Sequence, residues 1–248
     1  MPTVEAVFGR AREAAEAGRW SLARRLFRKV AVAASPLPQD RARAADARRW
    51  SSIAAMRLGD WESAVDDADQ SLSMSTALAD VRREAMSLNV NGAIQFERGD
   101  WAAALDLFER ARVVARPAKD RLLVAKIDNN EGALWAARGV TARARRLYAT
   151  ALAGFRAGGE EIAAVRVMNN LGLLLVDEGA HRQALDWYEQ AANAARAAGD
   201  NDLLLTILTN LARAAAEADL GERARAATIQ SSALPQRCSS RATAARAQ

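Results

Sequence analysis

Apolar residues recur along this chain at intervals of three and four. In residues 101–115, Leu105, Phe108 and Ala111 follow one another at that spacing, with the aliphatic stem of Arg112 beside them. A stripe of this period lies on one face of an α-helix. No segment alternates strictly between apolar and polar, so no strand is expected. Glycine interrupts the stripes at Gly18, Gly59, Gly99, Gly139 and Gly179, at spacings of 41, 40, 40 and 40, and Gly221 follows after 42 as the start of a looser copy. A glycine between two apolar-periodic runs supplies the positive φ that ends the first helix. A second series of breaks falls at Pro36 to Gln39, Ala79-Asp80, Pro117, Gly158-Gly159 and Gly199-Asp200, again about 40 apart. The pattern therefore predicts two helices per unit, repeated along the chain.

Two further markers run in phase with the glycines. Alanine follows each turn at Ala23, Ala64, Ala104, Ala144 and Ala184. An asparagine motif recurs upstream of the turn, in Asn89-Val90-Asn91-Gly92, Asn129-Asn130-Glu131-Gly132, Asn169-Asn170-Leu171-Gly172 and Thr209-Asn210-Leu211-Ala212. This spacing resembles the tetratricopeptide repeat, a helix pair of ~34 residues. Residues 165–198 carry the resemblance best, with Leu171-Gly172, Leu175, Gly179, Ala184, Tyr188 and Ala191 at the family's positions and Met168 in place of its tryptophan. The second unit is weaker, because Ala68 and Ser71 stand where Phe and Ala are usual, and the sixth has two extra residues before Gly221. The longer period and the Asn-Asn-Leu-Gly run look like the kinesin light chain type and bacterial regulatory arrays.

The resemblance implies an all-α, right-handed superhelical solenoid of about six helix-turn-helix repeats over residues 1–233. The units are expected near 4–37, 45–78, 85–116, 125–157, 165–198 and 205–231, with a basic, disordered tail at 234–248. One helix pair cannot bury its apolar stripe alone, and stacking makes a continuous core. Half of the chain is hydrophobic and only 5% aromatic, so alanine supplies much of that core.

Composition narrows the function. The net charge of +5 falls to +2 without the tail arginines Arg237, Arg241 and Arg246, and both signs alternate along the helices. Such a pattern belongs to solvated helix faces and argues against nucleic acid as partner. No uncharged apolar run is long enough to span a membrane. The first residues lack the basic start and apolar run of a secretory signal. A cytoplasmic protein is expected. The single cysteine, Cys238, has no intramolecular partner, and the single histidine, His181, cannot assemble a metal cluster or a catalytic triad. The adjacent acids Asp66-Asp67 and Glu160-Glu161 diverge on a helix, so neither pair converges on a substrate. No phosphate loop or nucleophile elbow is present. The reading is therefore non-catalytic, without cofactor or metal. Trp20, Trp61 and Trp101, each two residues past a turn glycine, are expected to pack between helices.

The resemblance places the first helix of each unit on the concave face. Its fifth-position column reads Phe8, Arg49, Asn89, Asn129, Asn169 and Thr209, and its sixth reads Gly9, Trp50, Val90, Asn130, Asn170 and Asn210. An amide offers both a donor and an acceptor, so a column of asparagines suits the backbone of an extended peptide. The same residues would also serve to tie neighbouring helices together. Met86, Lys126 and Arg166 lie three residues before Asn89, Asn129 and Asn169, on the same side of the helix. The peptide-binding candidates are thus Met86, Asn89, Phe96, Lys126, Asn129, Asn130, Arg166, Asn169 and Asn170. They imply an extended ligand with an acidic group near Lys126 and Arg166 and an apolar side chain near Phe96. A clamp for chaperone C-termini is not expected, since the best register gives Asn89, Ala93, Asn130, Arg166 and Asn170 and only Asn130 matches. A peptide-binding adaptor leads. A ligand sensor and a homo-oligomer joined through the terminal unit, whose Leu203, Leu204, Leu205, Ile207, Leu208, Leu211 and Ile229 have only a short segment after them, are the alternatives.

Overall fold

A computed structural model describes residues 3–33 and 37–234. Pro36, Cys238 and the tail beyond Leu234 lie outside the described residues. The chain divides into two units between Leu134 and Trp135. The first holds α1 (Val4–Glu16), α2 (Trp20–Val32), α3 (Pro38–Leu58), α4 (Trp61–Ala77), α5 (Val81–Glu97), α6 (Trp101–Ala115), a 3-10 turn (Arg116–Ala118) and most of α7 (Arg121–Ala137). The second holds α8 (Thr141–Ala157), α9 (Glu161–Asp177), α10 (His181–Ala197), α11 (Asn201–Glu217) and α12 (Gly221–Ser232). No strand occurs among the described residues. Consecutive helices pack on one another from α1 to α6 and from α8 to α12, and α5 also lies against α3.

From α4 onward the helices keep a 20-residue beat, starting at 61, 81, 101, 121, 141, 161, 181, 201 and 221. Two residues before each start the backbone turns left-handed, at Gly59, Ala79, Gly99, Lys119, Gly139, Gly159, Gly179, Gly199 and Asp219. After α9, Gly179 N–H donates to Val176 O at 2.9 Å and Ala180 N–H to Leu175 O at 2.8 Å, which satisfies carbonyls the helix end leaves open. The turn after α11 repeats these bonds, Asp219 to Ala216 at 3.1 Å and Leu220 to Ala215 at 2.8 Å. This corrects the reading of the sixth unit. It has no extra residues before its turn: Asp219, at φ 61°, takes the glycine's place 40 residues after Gly179, and Gly221 is the first residue of α12. A short polar side chain tolerates the left-handed region, so the backbone geometry survives where glycine does not.

The next residue in many of these turns is aspartate. Asp60, Asp80, Asp100, Asp120 and Asp200 accept from the N–H three residues on, at Ser63, Arg83, Ala103, Leu123 and Leu203. Each bond satisfies a donor that the first helical turn leaves open. Trp61 and Trp101 follow such caps and are 38% and 39% exposed, which corrects the expectation that they pack between helices. As first residues of their helices they stand at the rim of the turn. Trp20 is half-buried, with the Arg57 guanidinium 5.9 Å from its ring centroid.

Within pairs, close approach is set by a small residue facing a large one. The Phe108 ring of α6 lies where a Cβ on Gly92 of α5 would stand, 2.6 Å away. Tyr188 of α10 does the same at Gly172 of α9, at 2.5 Å. Ala184 is fully buried and Arg182 is exposed. Arg112, read from sequence for its stem alone, extends its guanidinium to Asp128 and Glu131 of α7, both at 2.5 Å.

Candidate functional site

In the first unit, α1, α3 and α5 enclose a pocket of about 220 Å³. Phe8 and Arg12 come from α1, Asp46, Arg49 and Trp50 from α3, and Arg82, Arg83 and Met86 from α5, with its N-cap Asp80. An aromatic stack supports it. The Trp50 ring lies over Phe27 of α2 at 6.0 Å and 15°, and Phe8 meets Phe27 edge-on at 5.5 Å. Three guanidiniums sit over these rings: Arg12 and Arg49 at 5.8 and 5.7 Å from Trp50, and Arg43 at 5.3 Å from Phe8. Such stacking holds flexible cations in place.

Carboxylates hold Arg49, and with it Arg82 and Arg83 of α5, from the side. Asp46 accepts from Arg49 at 3.1 Å and from Arg83 at 3.2 Å, Asp80 pairs with Arg83, and Asp120 accepts from Arg82 at 2.7 Å. Arg49 is 7% exposed, and burial pulls its pKa below the ordinary guanidinium range against the pull of Asp46. Burial acts on Arg83 as well, but Asp46 and Asp80 outweigh it and raise its pKa. The lining thus joins fixed cations, two aromatic faces and a thioether.

The predicted candidates of the first unit lie alongside. Met86 is half-buried and lines the pocket. Asn89 is buried, while Phe96, Lys126, Asn129 and Asn130 are half-buried. The asparagines form a chain: Asn129 Nδ2 donates to Asn130 Oδ1 at 3.3 Å, and Asn130 Nδ2 to Asn89 Oδ1 at 3.1 Å. Asn91 donates to Asp69 of α4 at 2.8 Å. In the second unit, Asn169 is buried and accepts from Asn210 Nδ2 at 2.9 Å, Asn170 is half-buried, and Arg166 is exposed. Both long-range amide bonds span 41 residues, so a fifth-position asparagine accepts from the sixth-position asparagine of the next pair. These bonds tie neighbouring first helices together.

Sequence reasoning named Phe8, Arg49, Trp50 and Met86 along the first helices but did not bring them together with Arg12, Asp46, Arg82 and Arg83. The Arg82-Arg83 pair just inside α5 is the signal that was available. What it lacked was the partner side, since Asp46 lies 37 residues from Arg83.

Solved structures share this architecture. BtubC (BKLC) from P. vanneervenii is 18% identical, with 97% of this chain and 98% of that chain covered and a TM-score of 0.70. The quorum sensor NprR of B. thuringiensis, in a complex with its cognate peptide NprX, is 12% identical, with 92% and 66% covered and a TM-score of 0.65. A Podosopora anserina putative kinesin light chain with nearly identical TPR-like repeats is 13% identical, with 79% and 96% covered and a TM-score of 0.54. No family model and no curated protein matches the chain. Helix pairs at a 40-residue period, left-handed turns and glycines under the Phe108 and Tyr188 rings agree with these likenesses: the chain has the tetratricopeptide-type helical repeat fold.

Proposed function

We propose that this protein is a non-catalytic scaffold or adaptor that holds a peptide or protein segment on the faces of its odd-numbered helices. The observation that carries the reading is the pocket of Arg12, Arg49, Arg82, Trp50 and Met86, a set suited to an acidic and an apolar side chain. The adjacent asparagine chain offers amide groups to an extended backbone, Lys126 adds positive charge for an acidic group in the first unit, and Arg166 adds it in the second. Because the amides already bond to one another, the ligand acts on a preset surface and loses less ordering free energy on binding. NprR, of the same fold, binds a peptide and is a quorum sensor. That favours a second reading, in which the captured peptide is a signal.

Peptides selected by display against the whole chain test the proposal. The double substitution Asn129→Ala and Asn169→Ala is expected to weaken their binding by about 1–3 kcal/mol, as when a few net hydrogen bonds are lost. Met86→Ala should weaken it too, with helicity unchanged by circular dichroism. Val113→Ala, on the exposed side of α6, should leave it intact. Binding that ignores the asparagine and Met86 substitutions alike rejects the odd-helix face.

A further inference from the structure

A larger cleft lies in the second unit on the other side of the helices. It measures about 680 Å³ and opens between α10, α11 and α12. Its floor is Leu204, Leu208 and Leu211 of α11. At 100° per residue these leucines lie opposite Thr206, Thr209 and Arg213, all exposed. The cleft is therefore separate from the odd-helix face on which the proposed function rests.

The molecule carries a second copy of this cleft. One repeat earlier, α8, α9 and α10 enclose about 310 Å³. A shift of 40 residues carries Arg156 to Arg196, Leu171 to Leu211 and Gln183 to Arg223, all lining residues. Other shared positions change size. Ala149 and Ala153 of the smaller cleft become the larger Glu189 and Asn193, at the rim of the larger one, while two positions shrink. Leu152 of the smaller cleft becomes Ala192, and Trp187 becomes Ala227. The larger cleft is the same groove without the Trp187 ring and the Leu152 side chain, with Glu189 and Asn193 added to its lining. Its floor leucines are nearly fully buried, so the missing volume lies between the helices.

The rim indicates the charge of the occupant. Arg196 is held by two neutral amides, Asn193 at 3.0 Å and Gln230 at 3.2 Å. Arg223 faces Glu189 at 3.8 Å. Two guanidiniums against one carboxylate leave the rim positive, and neutral amides leave the Arg196 charge available to an anion. An aromatic ring is what Trp187 supplies to the equivalent groove, and large aromatics with a desolvated seat dominate recognition energies.

We propose that the cleft between α10, α11 and α12 docks an aromatic side chain of a partner polypeptide, with a carboxylate of the same segment on Arg196 and Arg223. The probe is the blocked peptide Ac-Ala-Trp-Asp-Ala-NH2, measured against the full chain by saturation-transfer NMR and calorimetry. The unmodified protein is expected to bind one equivalent saturably, and the peptide with Asn in place of Asp several-fold more weakly. Ala227→Trp restores the missing ring and is expected to reduce binding at least tenfold. Trp187→Ala opens the second groove and is expected to raise the stoichiometry from one to two, provided its circular dichroism matches the parent; otherwise Ala227→Trp alone decides. No saturable binding to the parent, or undiminished binding to Ala227→Trp, overturns the proposal. So does binding that begins only after residues 235–248 are removed, which would make the chain's own segment the occupant. Free indole binding more tightly than the peptide also overturns it, in favour of a small molecule.

Discussion

The α3–α4 pair and the α9–α10 pair occupy equivalent places in the repeat, 120 residues apart, yet they are held together by different physics. In α9–α10 the contact is apolar. Leu174, Leu185 and Tyr188 are buried, and Gly172 yields the space that the Tyr188 ring takes. In α3–α4 the corresponding residues are Ser52 for Gly172 and Ala68 for Tyr188. Where the ring is missing, the residue that made room for it has gained a side chain, and Ser52 Oγ donates to Arg49 O at 2.7 Å. Polar groups do the rest. Asp67 is fully buried and is held by Ser51 Oγ at 2.6 Å, Arg48 at 2.5 Å and Arg28 at 3.5 Å. Ser71 Oγ bonds Ala45 O and Ser87 Oγ, both at 2.9 Å. The same helix geometry thus accepts either jigsaw packing or a satisfied polar network, provided that each is complete.

The strongest way to break the comparison is Asp67→Ala. It strips the partner from a nearly buried cluster of Arg48 and Ser51 and is expected to cost about 3–5 kcal/mol in urea denaturation, the range for a broken buried ion pair. A loss under about 1 kcal/mol would mean that alanine packing alone holds α3 to α4.

Exchanging the two solutions sharpens it further. Ala68→Phe adds a ring where Ser52 leaves no glycine-sized gap, and is expected to cost about 1–3 kcal/mol by overpacking. Adding Ser52→Gly should recover part of that loss, whereas Gly172→Ala in α9, pressing on Tyr188, should cost about 1–3 kcal/mol with no second-site change needed. Independent, additive effects of the Ala68 and Ser52 substitutions would refute the coupling between the two positions.

Capping separates α5 and α7, the helices that follow in the first unit, from α9 and α10. Asp80 and Asp120 cap α5 and α7, while α9 and α10 begin at Glu160 and Ala180 without a side-chain bond. Burial pushes the Asp80 and Asp120 carboxyls up, but the Arg83 backbone and side chain on Asp80, and Arg82 and the Leu123 N–H on Asp120, outweigh it and leave both pKa values lowered. A lowered folded-state pKa means stability present above the unfolded value of about 3.9 and lost as pH falls through the folded one. Amide protection at Arg83 and Leu123, measured against the intrinsic exchange rate at each pH, should therefore fall on acidification more than protection in α9 and α10. Asp120→Ala should cost about 0.5–2 kcal/mol near neutral pH and remove its share of the acid sensitivity.

The smallest expected effect lies on the apolar side. The Tyr188 hydroxyl is buried without a hydrogen-bond partner, and burial alone is the largest cause raising its pKa far above the usual phenol range. Tyr188→Phe removes an unsatisfied group and keeps the ring on Gly172. It should be neutral or stabilising by up to about 1 kcal/mol in thermal unfolding. A clear loss would reveal a water or side chain serving that hydroxyl.

What the chain's own order of residues determined is the periodic part. Helices, turns and their 40-residue period follow from apolar spacing and from glycine, because both act between residues a few positions apart. The aspartates at 60, 80, 100, 120 and 200 were equally local, and they mark the shorter 20-residue beat. Only the tertiary structure decided which polar residues are inside. Asp67 reads from sequence only as half of a diverging acid pair, and it is buried because Arg48 and Ser51, 19 and 16 residues away, arrive to satisfy it. The turn at Asp219 was hidden for a related reason: the left-handed position is fixed by backbone bonds to Ala215 and Ala216 and not by a glycine. The pocket over Trp50 and the unfilled cleft beside Ala227 depend on side chains from three helices each. Neither has a signature within any one of them, since solvation and packing depend on neighbours in space.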